Sequence, residues 1–202
     1  WGLNTHGQTG HKDQELLENP QKMDLLIENG STFFQSASCG ASFSMLLTKS
    51  GGLFVCGSNK YGQIGFDPKE TKEVFQLKQI KSESIKKITQ VSCGKEHSLL
   101  LTYDKKVFSF GRNLYNQLGI SNTDSGNDLN GSAVIKRIKK SSLEEIEFCW
   151  EPVLVDIFED NEVVYIAAGG DQSFAFAMSN YSDPVKNNFG RQFSILSPAF
   201  SP

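Results

Sequence analysis

The chain is poor in the residues that do chemistry. Histidine occurs 3 times, cysteine 4, tryptophan 2 and proline 6 in 202 residues. It contains no GxxxxGK[ST] loop and no strand–GxGxxG–helix unit, which excludes two familiar ways of cradling a phosphate. Cys39, Cys56, Cys93 and Cys149 have neither CxxC nor zinc-finger spacing, and no His/Cys/Asp cluster marks a metal site. No serine or cysteine sits on a recognisable nucleophile elbow. We therefore expect no cofactor, no metal and no enzymatic activity. Charge of one sign is lacking too: 20 Lys and Arg against 23 Asp and Glu leave a net −3. That balance argues against nucleic-acid binding through bulk charge. No apolar run approaches the ~18 residues of a membrane-crossing helix. The first residues carry no signal-peptide pattern, and no membrane partner is expected.

What the chain does have is glycine, 18 residues of it, and short apolar runs between glycine-rich corners. The clearest stretch runs from Val91 to Gly119. Ser98-Leu99-Leu100-Leu101 and Val107-Phe108-Ser109-Phe110 read as two strands around the polar turn Tyr103-Asp104-Lys105-Lys106, a hairpin pattern. Then comes the corner Gly111-Arg112-Asn113-Leu114-Tyr115-Asn116-Gln117-Leu118-Gly119. The same text occurs one unit earlier, from Cys39-Gly40 through Phe43 to Thr48 and from Leu53 through the corner Gly57-Ser58-Asn59 to Gly65. Cys39 to Cys93 and Gly57 to Gly111 both give a period of about 54 residues, a length at which repeats signal a solenoid or propeller. The chain opens on a third corner, Trp1 to Gly10, and a degenerate copy of the first half lies at Ala168 to Ala177. Strands rather than helices fill the unit, so the fold class is all-β, with one repeat per propeller blade.

The residues in between follow the same pattern. Pro20 to Leu26 is expected as an outer strand and Asn29-Gly30 as a turn; Val74 to Ile80 and Ile85 to Val91 repeat them. Glycines 2, 7 and 10 fit bends with positive φ. Asn4 and Gln8 recur as Asn59 and Gln63 and as Asn113 and Gln117; every blade has them, so they are read as amides bonding their own turn. Cys39 and Cys93 share a repeat position and are expected as small buried thiols of adjacent blades. Such thiols suit a reducing compartment, cytoplasmic or nuclear. His97 stands beside Glu96 and would need a bonded partner and a pocket to act as a base. Its repeat equivalents are Phe43 and Gln172, so it is read as a structural histidine bonding backbone between blades. His6 and His11 are expected as exposed turn residues.

Periodicity breaks at 120–152. Ser121 to Ser132 is flexible by composition. A basic run follows, Lys136-Arg137-Ile138-Lys139-Lys140, and Ser142 and Glu145 have capping-box spacing, which predicts a turn or two of helix. Lys136, Arg137, Lys139 and Lys140 are the candidate partner-binding residues, because inserted loops on a rigid scaffold often carry function. Blade text resumes with Val153 to Phe158 as an outer strand, a turn at Asn161, then Val163 to Ala168 and Phe174 to Met178. Residues 1–178 are thus read as blades with the insertion 120–152, and 179–202 as an extension or linker in which Phe189 to Leu196 forms one further strand.

These residues carry a family resemblance. The Cys-Gly-x-x-His-Ser step, the apolar hairpin and the Phe-Gly-x-Asn-x-x-x-Gln-Leu-Gly corner of 91–119 resemble the regulator of chromosome condensation repeat, with Asn116 in place of a glycine. The block at 37–65 matches as well, with Phe43 in the His position. The resemblance implies blades of a seven-bladed β-propeller, of which about three are present here. The chain starts at Trp1, inside a motif, so the missing blades are expected N-terminal to it. The resemblance further implies a non-catalytic protein–protein interaction scaffold within a larger protein, HECT-type ubiquitin ligases among them. The alternative it implies is guanine-nucleotide exchange on a Ran-like small GTPase, the family's founding activity.

Overall fold

The structure is a computed structural model of the chain, and it describes residues 1–23, 33–82, 85, 87–120, 136–141, 144–158, 162–178 and 193–196. Among the described residues fourteen strands form four separate antiparallel sheets. The first sheet is a short pair, β1 (Gly2–Leu3) with β2 (Leu16–Leu17). The second is β3 (Phe34–Cys39), β4 (Phe43–Thr48), β5 (Leu53–Ser58) and β6 (Glu73–Ile80), in that order. The third begins with β7 (Ile88–Cys93), β8 (His97–Thr102) and β9 (Val107–Arg112). It continues with β11 (Glu144–Leu154) and ends on β10 (Lys136–Ser141). The fourth is β12 (Glu162–Ala168), β13 (Ser173–Met178) and β14 (Phe193–Leu196). Neighbouring sheets touch through their innermost strands, β3 against β7 and β7 against β12. The repeats at 37–65 and 91–119 are therefore successive blades and not strands of one continuous sheet.

The leucine run explains why the blades stack. Successive side chains of a strand point to opposite faces. Leu100 packs with Phe43, Met45, Val55, Ile64, Phe108 and Phe110 toward the second sheet. Leu99 and Leu101 pack with Val163, Ile166, Ala175 and Ala177 toward the fourth. All of β8 is buried, so its run is apolar on both faces where a half-exposed strand would alternate.

Several expectations are corrected. The predicted outer strand at Pro20 to Leu26 is not found in its described part: residues 20–23 are not strand, and the pairing goes to Leu16–Leu17. The rest of that segment, with the Asn29-Gly30 turn, lies outside the described residues, as do Ser121 to Ser132, Asn161 and most of the C-terminal segment. No helix follows Ser142: Glu145 lies in β11, whose eleven residues take the fourth-strand position. Half of the 120–152 insertion is thus a hairpin that belongs to a blade. Pro152 falls where the β11–β9 register shifts between Cys149 and Val153, the kind of position a strand proline tolerates. The strand predicted at Val153 to Phe158 ends at Leu154, and Asp156–Phe158 forms a 3-10 turn. Cys93 is buried as expected, but Cys39 is exposed. Its strand, β3, is the innermost of the second blade and has no inner strand before it among the described residues.

Candidate functional site

The corner amides hold the corners. Asn59 Nδ2 donates to the carbonyls of Phe66 and Thr71 at 2.8 and 2.7 Å, and Asn4 Nδ2 donates to those of His11 and Gln14, both at 2.6 Å. Gln8, Gln63 and Gln117 each accept from the backbone N–H two residues before them. Five of the six amides are buried and Gln8 is half-buried; among the described residues Asn113 Nδ2 and Gln117 Nε2 have no partner. One contact type then joins each blade to the corner before it. Ser44, Ser98 and Ser173 donate their hydroxyls to the carbonyls of Gln8, Gln63 and Gln117, each at 2.7 Å.

His97 belongs to the same machinery. Its Nε2 donates to Ser173 Oγ at 2.9 Å, across the junction to the next blade; the hydroxyl can only accept, because its proton goes to Gln117. The tie between blades is as expected: beside the Gln172 backbone, it also engages the Ser173 side chain. Burial pushes the imidazole down to about 4, so at neutral pH it is uncharged and closed off from any substrate. His6 and His11 are half-buried rather than exposed, and His6 Nδ1 meets Glu73 Oε1 of β6 at 2.7 Å. Burial likewise pushes the Cys56 and Cys93 thiols up to about 12, which makes them inert at physiological pH.

The candidate residues Lys136, Arg137, Lys139 and Lys140 all fall on β10, the outermost strand of the third blade. The register sets Arg137 across from Glu147 and Lys139 across from Glu145. β11 holds this hairpin to the propeller. Asn113 donates its N–H to the Glu147 carbonyl at 2.8 Å. Phe148 and Trp150 pack on Tyr61 of the preceding blade's corner. Gly62, with φ of +75°, makes that approach possible: a Cβ there would overlap the Trp150 backbone. At the equivalent place in the next corner Asn116 takes a left-handed φ of 56°. No strand of the following blade covers it among the described residues.

A second feature adjoins the hairpin. Arg112 pairs with Glu96 at 2.7 Å, and its guanidinium lies 5.5 Å from the Tyr61 ring centroid and 5.9 Å from that of Tyr115. Tyr61 is 6% exposed and Tyr115 53%. Tyr61 and Tyr115 recur at one repeat position, but the motif leaves that position open and does not show this pairing, because Glu96 and Arg112 vary within the repeat. Trp150, one of only two tryptophans, was the available signal for the anchoring.

Successive antiparallel sheets that touch through their innermost strands and are locked by repeated corner contacts define the chain as blades of a β-propeller. The model of the regulator of chromosome condensation (RCC1) repeat matches residues 1–47, 50–101 and 104–176, and a second model of the repeat matches 34–63 and 88–117. The chain belongs to this repeat family. It is 31% identical over 195 residues to human probable E3 ubiquitin-protein ligase HERC6, covering 96% of this chain and 16% of that protein. It is 34% identical over 123 residues to mouse serine/threonine-protein kinase Nek9, covering 61% of this chain and 12% of the kinase. It is 37% identical over 122 residues to mouse secretion-regulating guanine nucleotide exchange factor, covering 59% and 25%. The chain thus spans a quarter or less of these relatives. In fold it resembles Prp20p of Saccharomyces cerevisiae, a structure described with its binding to Gsp1p and histones, at a TM-score of 0.68, 19% identity and coverage of 91% of this chain and 40% of Prp20p. It resembles human WBSCR16 at a TM-score of 0.68 and 24% identity, covering 99% and 48%.

Proposed function

We propose that this chain is a non-catalytic, partner-binding part of a propeller within a larger protein, and that Lys136, Arg137, Lys139 and Lys140 contact a protein partner. One observation carries the reading. Among the described residues the second blade has four strands, yet the third adds a fifth, and that addition is the most basic of the described strands. Charged residues on an added edge are not needed to fill a blade core. The test is partner capture by purified protein bearing Lys136→Glu, Arg137→Glu, Lys139→Glu and Lys140→Glu together. Loss of the partner is expected; undiminished recovery contradicts the assignment. The match to HERC6 over nearly the whole chain favours a ubiquitin-ligase context of the HECT type. The flanking coding sequence tests this: a ligase domain downstream is expected, and its absence contradicts it. The free cysteines fit a reducing compartment, cytoplasmic or nuclear, which microscopy of the tagged protein tests.

A second reading is guanine-nucleotide exchange on a small GTPase. The similarity to a secretion-regulating exchange factor and the Prp20p fold favour it. Such an activity works by remodelling the GTPase and requires no nucleophile. A nucleotide-release assay with the full-length protein decides: acceleration supports exchange, and an unchanged release rate removes it.

A further inference from the structure

We propose that β10 is a docking edge for an extended acidic segment of a protein partner, which adds to the third blade as a sixth strand. The proposal rests on the scaffold reading above and names the partner's chemistry and the mode of its binding. Among the described residues β10 pairs with β11 alone. Among the described residues no strand lies on its other side, which carries a row of backbone donors and acceptors over six residues, about 20 Å of strand. Strand addition to such an edge takes affinity from main-chain bonds and specificity from side chains.

The edge is also pre-braced. β11 is fixed to β9 by pairing at Phe148–Arg112 and Cys149–Gly111, and to the preceding blade through Tyr61 and Gly62. A docking strand then meets a support that is already ordered, which lowers the entropy cost of binding.

The sequence of the edge sets the partner's charge. β10 reads Lys136-Arg137-Ile138-Lys139-Lys140-Ser141. β11 places Glu147 and Glu145 across from Arg137 and Lys139. Lys136 lies across from Phe148, and Lys140 falls in the register shift between Lys139 and Ser141. Lys136 thus has no acidic position opposite it in β11, whereas Lys140 lies between the positions paired with Glu145 and Glu144. Opposite-charge pairs across strands stabilise and like charges directly opposite destabilise. The four basic residues of β10, Lys136 above all, thus select an incoming strand rich in acids, with an apolar residue facing Ile138. The same charge disfavours the competing occupant, a second copy of β10, as edge lysines do in natural sheets.

The probe is an acetylated, amidated peptide Thr-Glu-Glu-Val-Glu-Glu-Thr, whose pattern reads the same in either strand direction, with the Lys-Lys-Val-Lys-Lys counterpart as control. Anisotropy titration and amide hydrogen exchange are read on the 202-residue chain and on the Lys136→Glu/Lys140→Glu variant. We expect the acidic peptide to bind, the basic one not to bind, and the variant to bind at least tenfold more weakly. Alternate amides within 136–141 gain protection on binding, while β7–β9 amides stay protected in both proteins as the control for folding. Three results overturn the proposal: equal binding by the variant, binding without protection of β10, or concentration-dependent self-association through β10. Binding without β10 protection overturns only the strand addition and leaves the basic contact surface standing. Loss of partner capture by the four-glutamate protein, with no binding of the acidic peptide, would likewise separate the two readings.

Discussion

Two junctions between blades meet the same packing requirement with different chemistry. Between the second and third sheets the ring at the start of the inner hairpin is Phe43; between the third and fourth it is His97. Each ring lies against a glycine three residues before it, where a Cβ at Gly40 or Gly94 would collide with the ring. Each of those glycines donates its N–H to the carbonyl of the ring residue, at 2.9 Å in both cases. The surroundings then diverge. Phe43 joins a cluster with Phe108, Phe110 and Met45. At the second joint His97 bonds to Ser173, the apolar residues beside it include Val163, Ile166, Ala175 and Ala177, and a glutamine adds polar pairing. Gln90 exchanges two hydrogen bonds with the Ile166 backbone, whereas the bond from the Ala168 N–H to Ser92 only repeats the one from the Cys93 N–H to Ser38 at the first joint. The repeat conserves the backbone geometry of the joint, and apolar area or polar pairing can each fill it.

The largest effect expected from breaking this comparison is at the apolar joint. Phe43→Ala should cost about 3–5 kcal/mol, the range for emptying a buried aromatic site, read as a lower urea midpoint at unchanged slope. At the polar joint the sharper probe is pH. His97 is held near 4 when folded but titrates near 6.5 when unfolded. Between those values the unfolded state binds the extra proton, so stability rises with pH through that window and falls as pH drops. A gap of this size is worth about 3 kcal/mol. His97→Phe, which copies the other joint, should remove that part of the acid sensitivity; a denaturation midpoint that falls as steeply from pH 6.5 to 4 in the variant contradicts the assignment.

What was readable in the sequence follows the same division. The inner hairpins were legible because Leu99, Leu100 and Leu101 and the repeated corner amides carry their signal locally. The hairpin at 136–154 was not. Its strands are dense in charge, Pro152 interrupts one of them, and the Ser142–Glu145 spacing mimics a helix start. Its strand state comes from pairing with β9 and from the seat that Tyr61 and Gly62 give to Phe148 and Trp150, contacts that no window of sequence contains. The exposure of Cys39 was hidden for a related reason, since burial at that repeat position depends on a neighbouring blade.

Smaller effects sharpen the contrast between the corners. Tyr61→Ala should cost about 2–4 kcal/mol, because it removes the floor under β11. Tyr115→Ala, at the uncovered corner, should stay within about 0.5 kcal/mol. Equal costs in thermal unfolding would mean that β11 does not rest on the second blade. Ser173→Ala should cost more than Ser98→Ala, by about 1 kcal/mol, because only Ser173 also accepts a bond from a buried imidazole; both are read from urea denaturation at pH 7.5.

The joint between the third and fourth blades is tested most directly by a double-mutant cycle. His97→Phe, Ser173→Ala and the double variant are compared with the parent by urea unfolding at pH 7.5. Direct contact across the joint predicts a coupling of about 1 kcal/mol or more. Additive costs, with no coupling, would show that the imidazole and the hydroxyl do not meet.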